Sequence, residues 1–140
     1  NDRCDEAVPA YEKAIQVAPK LARLRVSLGQ CKDRLGKHEE AAAVYRQVLK
    51  TDPSEVEVYY LLARSLHESQ GAKAALPLYE RAAREEKKNP MPHYYLGYAY
   101  KERGQRARAI EEFKAFLALK PDAAERKDIE AEIEDLGGKP

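Results

Sequence analysis

The sequence predicts an all-α fold, a solenoid of short helix pairs, and three observations carry that prediction. Leu28, Leu62 and Leu96 recur at a step of 34 residues, each followed by a small residue, Gly29, Ala63 or Gly97. Ala41, Ala75 and Ala109 keep the same step, with Ala7 one step earlier; an aromatic follows each four residues on (Tyr11, Tyr45, Tyr79, Phe113), and Ala14, Val48, Ala82 and Phe116 come three later. Pro19, Pro53 and Pro121 share a column that only Lys87 breaks, with Pro90 three residues beyond it. A fixed period of this length marks stacked units, none of which buries its apolar face alone.

Taken in order, the first element is a lone second-type helix (helix B) over about Asp5–Val17, within segment 4–18. Its apolar residues Ala7, Tyr11, Ala14 and Ile15 expect a preceding helix A, so this edge, residues 1–20, is the expected site of any self-association. Three full pairs follow, 22–55, 56–89 and 90–123. In the middle pair, helix A over about Val56–Ser69 sets Tyr59, Leu62, Ala63 and Leu66 on one face at i, i+3, i+4, i+7. Helix B over about Lys73–Glu86 offers Ala75, Tyr79, Ala82 and Ala83 in return. Small residues admit close approach of two backbones, and the aromatic fills the gap between neighbouring pairs. Gly36, Gly71 and Gly104 fall in the turns between A and B, and the prolines stop helix B. Pro9 and Pro77 sit a few residues into helix B, where proline costs up to ~3 kcal/mol once past the first turn; these helices are expected to begin late or to bend. The last helix, about Ala123–Leu136, carries one apolar stripe (Ile129, Ile133, Leu136) among charged faces, as a terminal cap requires. The whole reads as one domain, 1–140.

With 44% apolar and 35% charged residues the chain can form a core. The net charge is +1, but residues 122–140 hold seven acids against three bases, so a mildly basic body ends in an acidic tail. This falls short of a nucleic-acid footprint, and the Arg103, Arg106, Arg108 cluster reads as a solvated surface. No apolar run approaches the ~20 residues that span a bilayer, so no direct membrane insertion is expected. The chain begins at Asn1 without an initiating Met or a signal peptide and reads as a segment of a longer protein, with the cytoplasm as its expected compartment. Cys4 and Cys31 make neither a disulfide framework nor a zinc site and are expected as reduced thiols packed in or near helices.

The small residue after Leu, the Ala, the aromatic and the Pro at fixed offsets resemble the tetratricopeptide repeat over about residues 1–123. The resemblance implies a right-handed α-solenoid of helix-turn-helix repeats with a C-terminal capping helix. Departures fall where the motif favours Trp, a column holding Arg25, Tyr59 and His93, and at its later Tyr, where Lys32, Leu66 and Tyr100 stand. The first full repeat is the least orthodox, and its helix A is expected to pack more loosely. The Ala- and Arg-rich composition looks bacterial, and bacterial relatives of the repeat commonly serve in assembly or regulation of pilus, secretion and motility machines.

Chemistry is absent from the pattern. His38, His67 and His93 lack metal-ligand spacing, and no phosphate loop, dinucleotide fingerprint or nucleophile elbow occurs. Ser27, Ser54, Ser65 and Ser69 have no base in pattern, and the carboxylates read as solvated helix faces. No catalytic residue, metal or cofactor is expected.

The resemblance implies a concave groove lined by the A helices, in which a partner peptide or helix lies. The candidate groove residues are Arg23, Gln30, Tyr60, Arg64, His67, Tyr94, Tyr98 and Lys101, with Val26, Ser27, Arg34, Glu57, Leu61, Met91 and Tyr95 beside them. Tyr60, Tyr94 and Tyr98 are surplus to the core columns; tyrosine with arginine is the composition of binding hot spots. Some family members grip acidic chaperone tails through Lys and Asn, but the matching positions here are Val26, Gln30, Leu61, Met91 and Tyr95, so that clamp is missing. The groove would suit an apolar or aromatic peptide with some negative charge. Three classes stay open: a peptide-binding scaffold, a self-assembly module acting through residues 1–20, and a regulatory domain of a larger enzyme.

Overall fold

The computed structural model describes residues 2–140, apart from the side chain of Asp2; Asn1, the first residue of the expected self-association edge, lies outside the described residues. Among the described residues eight helices follow one another: α1 (Asp2–Val17), α2 (Ala22–Arg34), α3 (His38–Thr51), α4 (Glu57–Gln70), α5 (Ala72–Glu85), α6 (Met91–Glu102), α7 (Arg106–Leu119) and α8 (Arg126–Asp135). They form two compact units, which divide between Gly71 and Ala72.

In the first unit α1 packs on α2, α2 on α3 and α3 on α4. The Tyr45 ring of α3 is fully buried at its centre. It lies so close to Gly29 of α2 that a methyl group there would collide with it, which is why the column after Leu28 is small. In the second unit α5 packs on α6, α6 on α7 and α7 on α8, and the Phe113 ring meets Gly97 in the same way. Ile129 and Ile133 of α8 are fully buried, so the expected apolar stripe is in place.

The turn glycines do what their column requires. Gly36 has φ 75°, which brings Lys37 N–H onto the Lys32 carbonyl at 2.9 Å and Gly36 N–H onto that of Asp33 at 2.9 Å. These two bonds close the end of α2. Gly104 repeats the arrangement at the end of α6 with φ 70°.

Of the two readings of the helix prolines one falls, and two further expectations need correction. Helices α1 and α5 run through Pro9 and Pro77 from starts at Asp2 and Ala72, so neither begins late. Both proline rings face solvent, where the lost backbone donor and the ring's bulk are best accommodated. Helix α8 starts at Arg126 rather than Ala123, because the chain turns at Pro121–Glu125, with Ala123 N–H on the Lys120 carbonyl at 3.2 Å. Cys4 and Cys31 are joined in a disulfide rather than standing as two thiols. Beginning α1 at Asp2 puts Cys4 on the helix, facing α2, and its Cα lies 5.1 Å from that of Cys31.

The A-type helices differ in where their buried residues fall. Helix α2 buries Leu28, Gly29, Cys31 and Lys32, all in its second half. Helix α4 buries residues from Val58 to Leu66. In the column where the motif favours Trp, Arg25 donates to the Pro19 carbonyl, Tyr59 to the Pro53 carbonyl at 3.4 Å, and His93 Nδ1 pairs with Glu112 at 2.6 Å.

Candidate partner-binding surfaces

The first unit carries an open pocket of about 260 Å3 lined by Gln30, Asp33 and Arg34 of α2, His38 and Tyr45 of α3, and Leu61, Arg64 and Glu68 of α4. Its floor is a polar hub. The Asp33 carboxylate accepts from Tyr45 Oη at 3.2 Å, meets His38 Nδ1 at 3.0 Å, and has Ser65 Oγ within 2.9 and 2.8 Å of its two oxygens. Burial first, and the neighbouring Asp33 second, hold the Tyr45 phenol protonated far above its usual range. Three donors on one carboxylate fix the floor, while the arginines stand exposed at the rim. The Arg64 guanidinium also lies over the Tyr60 ring, 5.8 Å from its centroid.

Sequence reasoning gave Asp33 no role and saw no partner for His38 or Ser65. The hub places a serine and a histidine on one aspartate, yet it is not a nucleophile arrangement. Ser65 is fully buried, and its hydroxyl is held by Asp33 and by the Leu61 carbonyl at 3.1 Å. A nucleophilic serine needs an adjacent base, with the base in turn oriented by the acid. Here the acid stands between the two.

Of the other expected residues in this unit, Arg23 is exposed and lines a second hollow with Val26, Ser27, Gln30, Glu55 and Glu57. Tyr60 and His67 are half-buried on α4.

The second unit is different. Tyr94 and Tyr98, expected as surplus to the core, are tied into it. Tyr94 meets Phe116 at 5.2 Å and Tyr98 meets Phe113 at 5.0 Å, both edge-on; the two tyrosines touch each other at 5.1 Å, and Tyr94 also meets Tyr95 at 5.1 Å. Tyr95 in turn stacks on Tyr79 at 5.7 Å. Edge-on and offset geometries suit the ring quadrupoles. Burial, then Tyr94, then Glu132 and Asp128 of α8 push the Tyr98 phenol well above its usual range. Lys101 is held in an ion pair with Glu132. Glu132 and Asp128 of α8 lie near these side chains, charges that the sequence pattern had assigned to solvent.

Comparison with known proteins agrees with the columns. Sequence models described as tetratricopeptide repeat match residues 1–65 and 60–124. The chain belongs to the tetratricopeptide repeat family. Its fold class is therefore an all-α helical repeat, and membership places it among protein–protein interaction scaffolds. It resembles the crystal structure of MamA with a TM-score of 0.85 at 24% identity, covering 96% of this chain and 79% of that one. It resembles MamA from Desulfovibrio magneticus at 0.81 and 20%, covering 96% and 84%. The Yersinia enterocolitica type III secretion chaperone SycD, solved with a peptide of the translocator YopD, aligns at 0.75 and 18%, covering 82% and 91%. Among curated proteins the human O-mannosyl-transferase TMTC1 is 23% identical over 98% of this chain, which spans 16% of that protein's length. Among the described residues, no helix is long and apolar enough to cross a membrane.

Proposed function

We propose that this chain is a non-catalytic recognition module whose first unit takes an acidic side chain of a partner peptide between Arg34 and Arg64. The observation that carries the reading is the open pocket above the Asp33 hub. Its floor is prepaid in hydrogen bonds, so binding does not have to order it, and its rim presents two guanidiniums suited to paired bonds with a carboxylate. Gln30 offers an amide and Leu61 an apolar wall, so an acidic residue next to an apolar one fits. Arg23 and Tyr60 extend the same helices' surface. Tyr94, Tyr98 and Lys101 serve chiefly to hold the second unit's face in shape, with their exposed portions as secondary contacts. The fold shared with a secretion chaperone solved with a bound peptide supports peptide recognition, and work in assembly or regulation of a bacterial multiprotein machine is consistent with it.

Panning a random peptide display library on the immobilised chain tests the reading. Enriched peptides should carry Asp or Glu beside an apolar residue, and Arg34→Ala/Arg64→Ala should weaken them by about 10- to 100-fold. Enrichment of basic peptides, or unchanged affinity in the double variant, would rule it out.

A second reading has its own observation. Val17 and Leu21 are 87% and 56% exposed at the turn between α1 and α2, two of the three large apolar side chains exposed among the described residues. Self-association through residues 1–20 would cover them. Sedimentation of the chain against Val17→Ser/Leu21→Ser separates the readings, since only self-association responds to this change.

A further inference from the structure

Positions 4 and 31 belong to a pair of columns that the repeat brings together at successive junctions. One step of 34 residues on, the same columns hold His38 and Ser65, which meet through Asp33. Two steps on they hold Ala72 and Ala99, both buried in the second unit. These columns thus hold a polar bridge in one place and two buried small apolar residues in another. At the first junction they hold sulfur: Cys4 and Cys31 are 4% and 8% exposed and joined.

The surroundings show what the bond does. Helix α1 has Cys4 as its one buried side chain among those described; Ala7, Val8, Tyr11, Ala14 and Ile15 are half-buried. Its far end is held by the turn into α2, where Ala18 N–H reaches the Ala14 carbonyl at 2.9 Å and Leu21 N–H that of Ala18 at 3.2 Å. Cys4 is about 20 Å up the helix from that turn. Midway, the buried Lys32 ammonium pairs with Glu40 of α3 at 2.6 Å and lies 3.8 Å from Glu12 of α1. An ion pair at that distance to a half-exposed carboxylate adds little. The thin apolar seam therefore leaves the sulfur bond as the main restraint on the N-terminal half of α1.

We infer that the Cys4–Cys31 bond forms in the cell and is the clasp that seats α1 on the first repeat, so that this chain matures in an oxidising compartment rather than in the reducing cytoplasm expected from the sequence. Disulfides persist in oxidising compartments and are rare in reducing ones. Formation is an exchange: one thiolate attacks a protein or small-molecule disulfide and expels one of its thiolates, and the second attacks the chain's own sulfur in the resulting mixed disulfide and expels the other. The two cysteines lose two protons and two electrons, and the oxidant is released reduced, as a dithiol if it is a protein disulfide or as two thiols if it is a small molecule. Once formed, the bond is shielded from bulky reductants by its burial.

Thiol trapping in the source cell tests the compartment. Cells are quenched in acid, the protein is denatured, and free thiols are blocked before peptide mass analysis. The expected result is a Cys4 peptide linked to the Cys31 peptide; two blocked thiols would overturn the inference. Hydrogen exchange tests the clasp. On reduction, and equally in Cys4→Ala, amides in the N-terminal half of α1 should exchange about 30-fold faster or more, while those of α6 and α7 keep their rates. Equal protection of α1 in oxidised and reduced protein would refute the clasp.

Discussion

The two units use one helix-pair plan and finish it in opposite ways. Asp33 and Lys101 stand in the same column, 68 residues or two repeat steps apart. In the first unit Asp33 reaches from α2 to Ser65 of α4, turning its charge inward and leaving arginines at the rim. In the second unit Lys101 reaches from α6 to Glu132 of α8, and the tyrosines between them pack on Phe113 and Phe116. One unit spends its polar groups on a floor and keeps a pocket open; the other fills the equivalent space with its own rings. Column identity alone does not make a residue a ligand contact. What decides is whether a neighbour within the fold already occupies it.

The comparison can be broken by removing what holds each unit. The largest effect is expected for Phe113→Ala, which removes the buried ring beneath Tyr98 and leaves a cavity against Gly97; a loss of about 3–5 kcal/mol in denaturant unfolding is expected, with α6–α8 amides losing protection first. Replacing Cys4 and Cys31 by serine removes a cross-link between residues 27 apart and should cost about 3 kcal/mol, read in the first unit. Asp33→Ala strips the acceptor from Tyr45, His38 and Ser65; about 2 kcal/mol is expected, with Ser65 still held by Leu61. A chain that kept full stability in this variant would show the hub to be ornamental.

Alkali sharpens the comparison further. Tyr100 of α6 donates to Glu80, and burial with that carboxylate raises its phenol from 10.0 to about 12. The folded form then holds its proton more tightly than the unfolded chain does. Its contribution is complete below pH 10 and is lost as pH rises through about 12. Tyr45 and Tyr98 shift in the same direction, so both units should lose thermal stability above pH 10, and Tyr100→Phe should flatten the part due to that residue. The smallest effect is expected for Lys101→Ala. Its ammonium is substantially exposed, and unfolding should move by less than about 1 kcal/mol.

Contacts within a repeat were legible because the period repeats them. Gly29 against Tyr45 and Gly97 against Phe113 follow from one small and one aromatic column, as do the turn glycines and the capping stripe. Contacts that occur once were not legible. Asp33 shares its column with His67 and Lys101, so no pattern marks it as an acceptor for Ser65. The disulfide joins columns that hold His38 and Ser65 one step on, so no recurring residue type marks Cys4 and Cys31 as a pair. The ring contacts of Tyr94 with Phe116 and of Tyr98 with Phe113 were not legible either, since the same columns hold Tyr60 and Arg64 one step earlier.

The most direct test of the central contrast uses three chains of equal helicity: the unaltered protein, Arg34→Ala/Arg64→Ala, and Tyr94→Phe/Tyr98→Phe. Titrating a display-selected acidic peptide into each, binding should fall at least about tenfold with the arginine variant and stay within about twofold with the phenylalanine variant, whose rings remain packed. Loss of binding in the phenylalanine variant alone would contradict the account and move the site to the second unit.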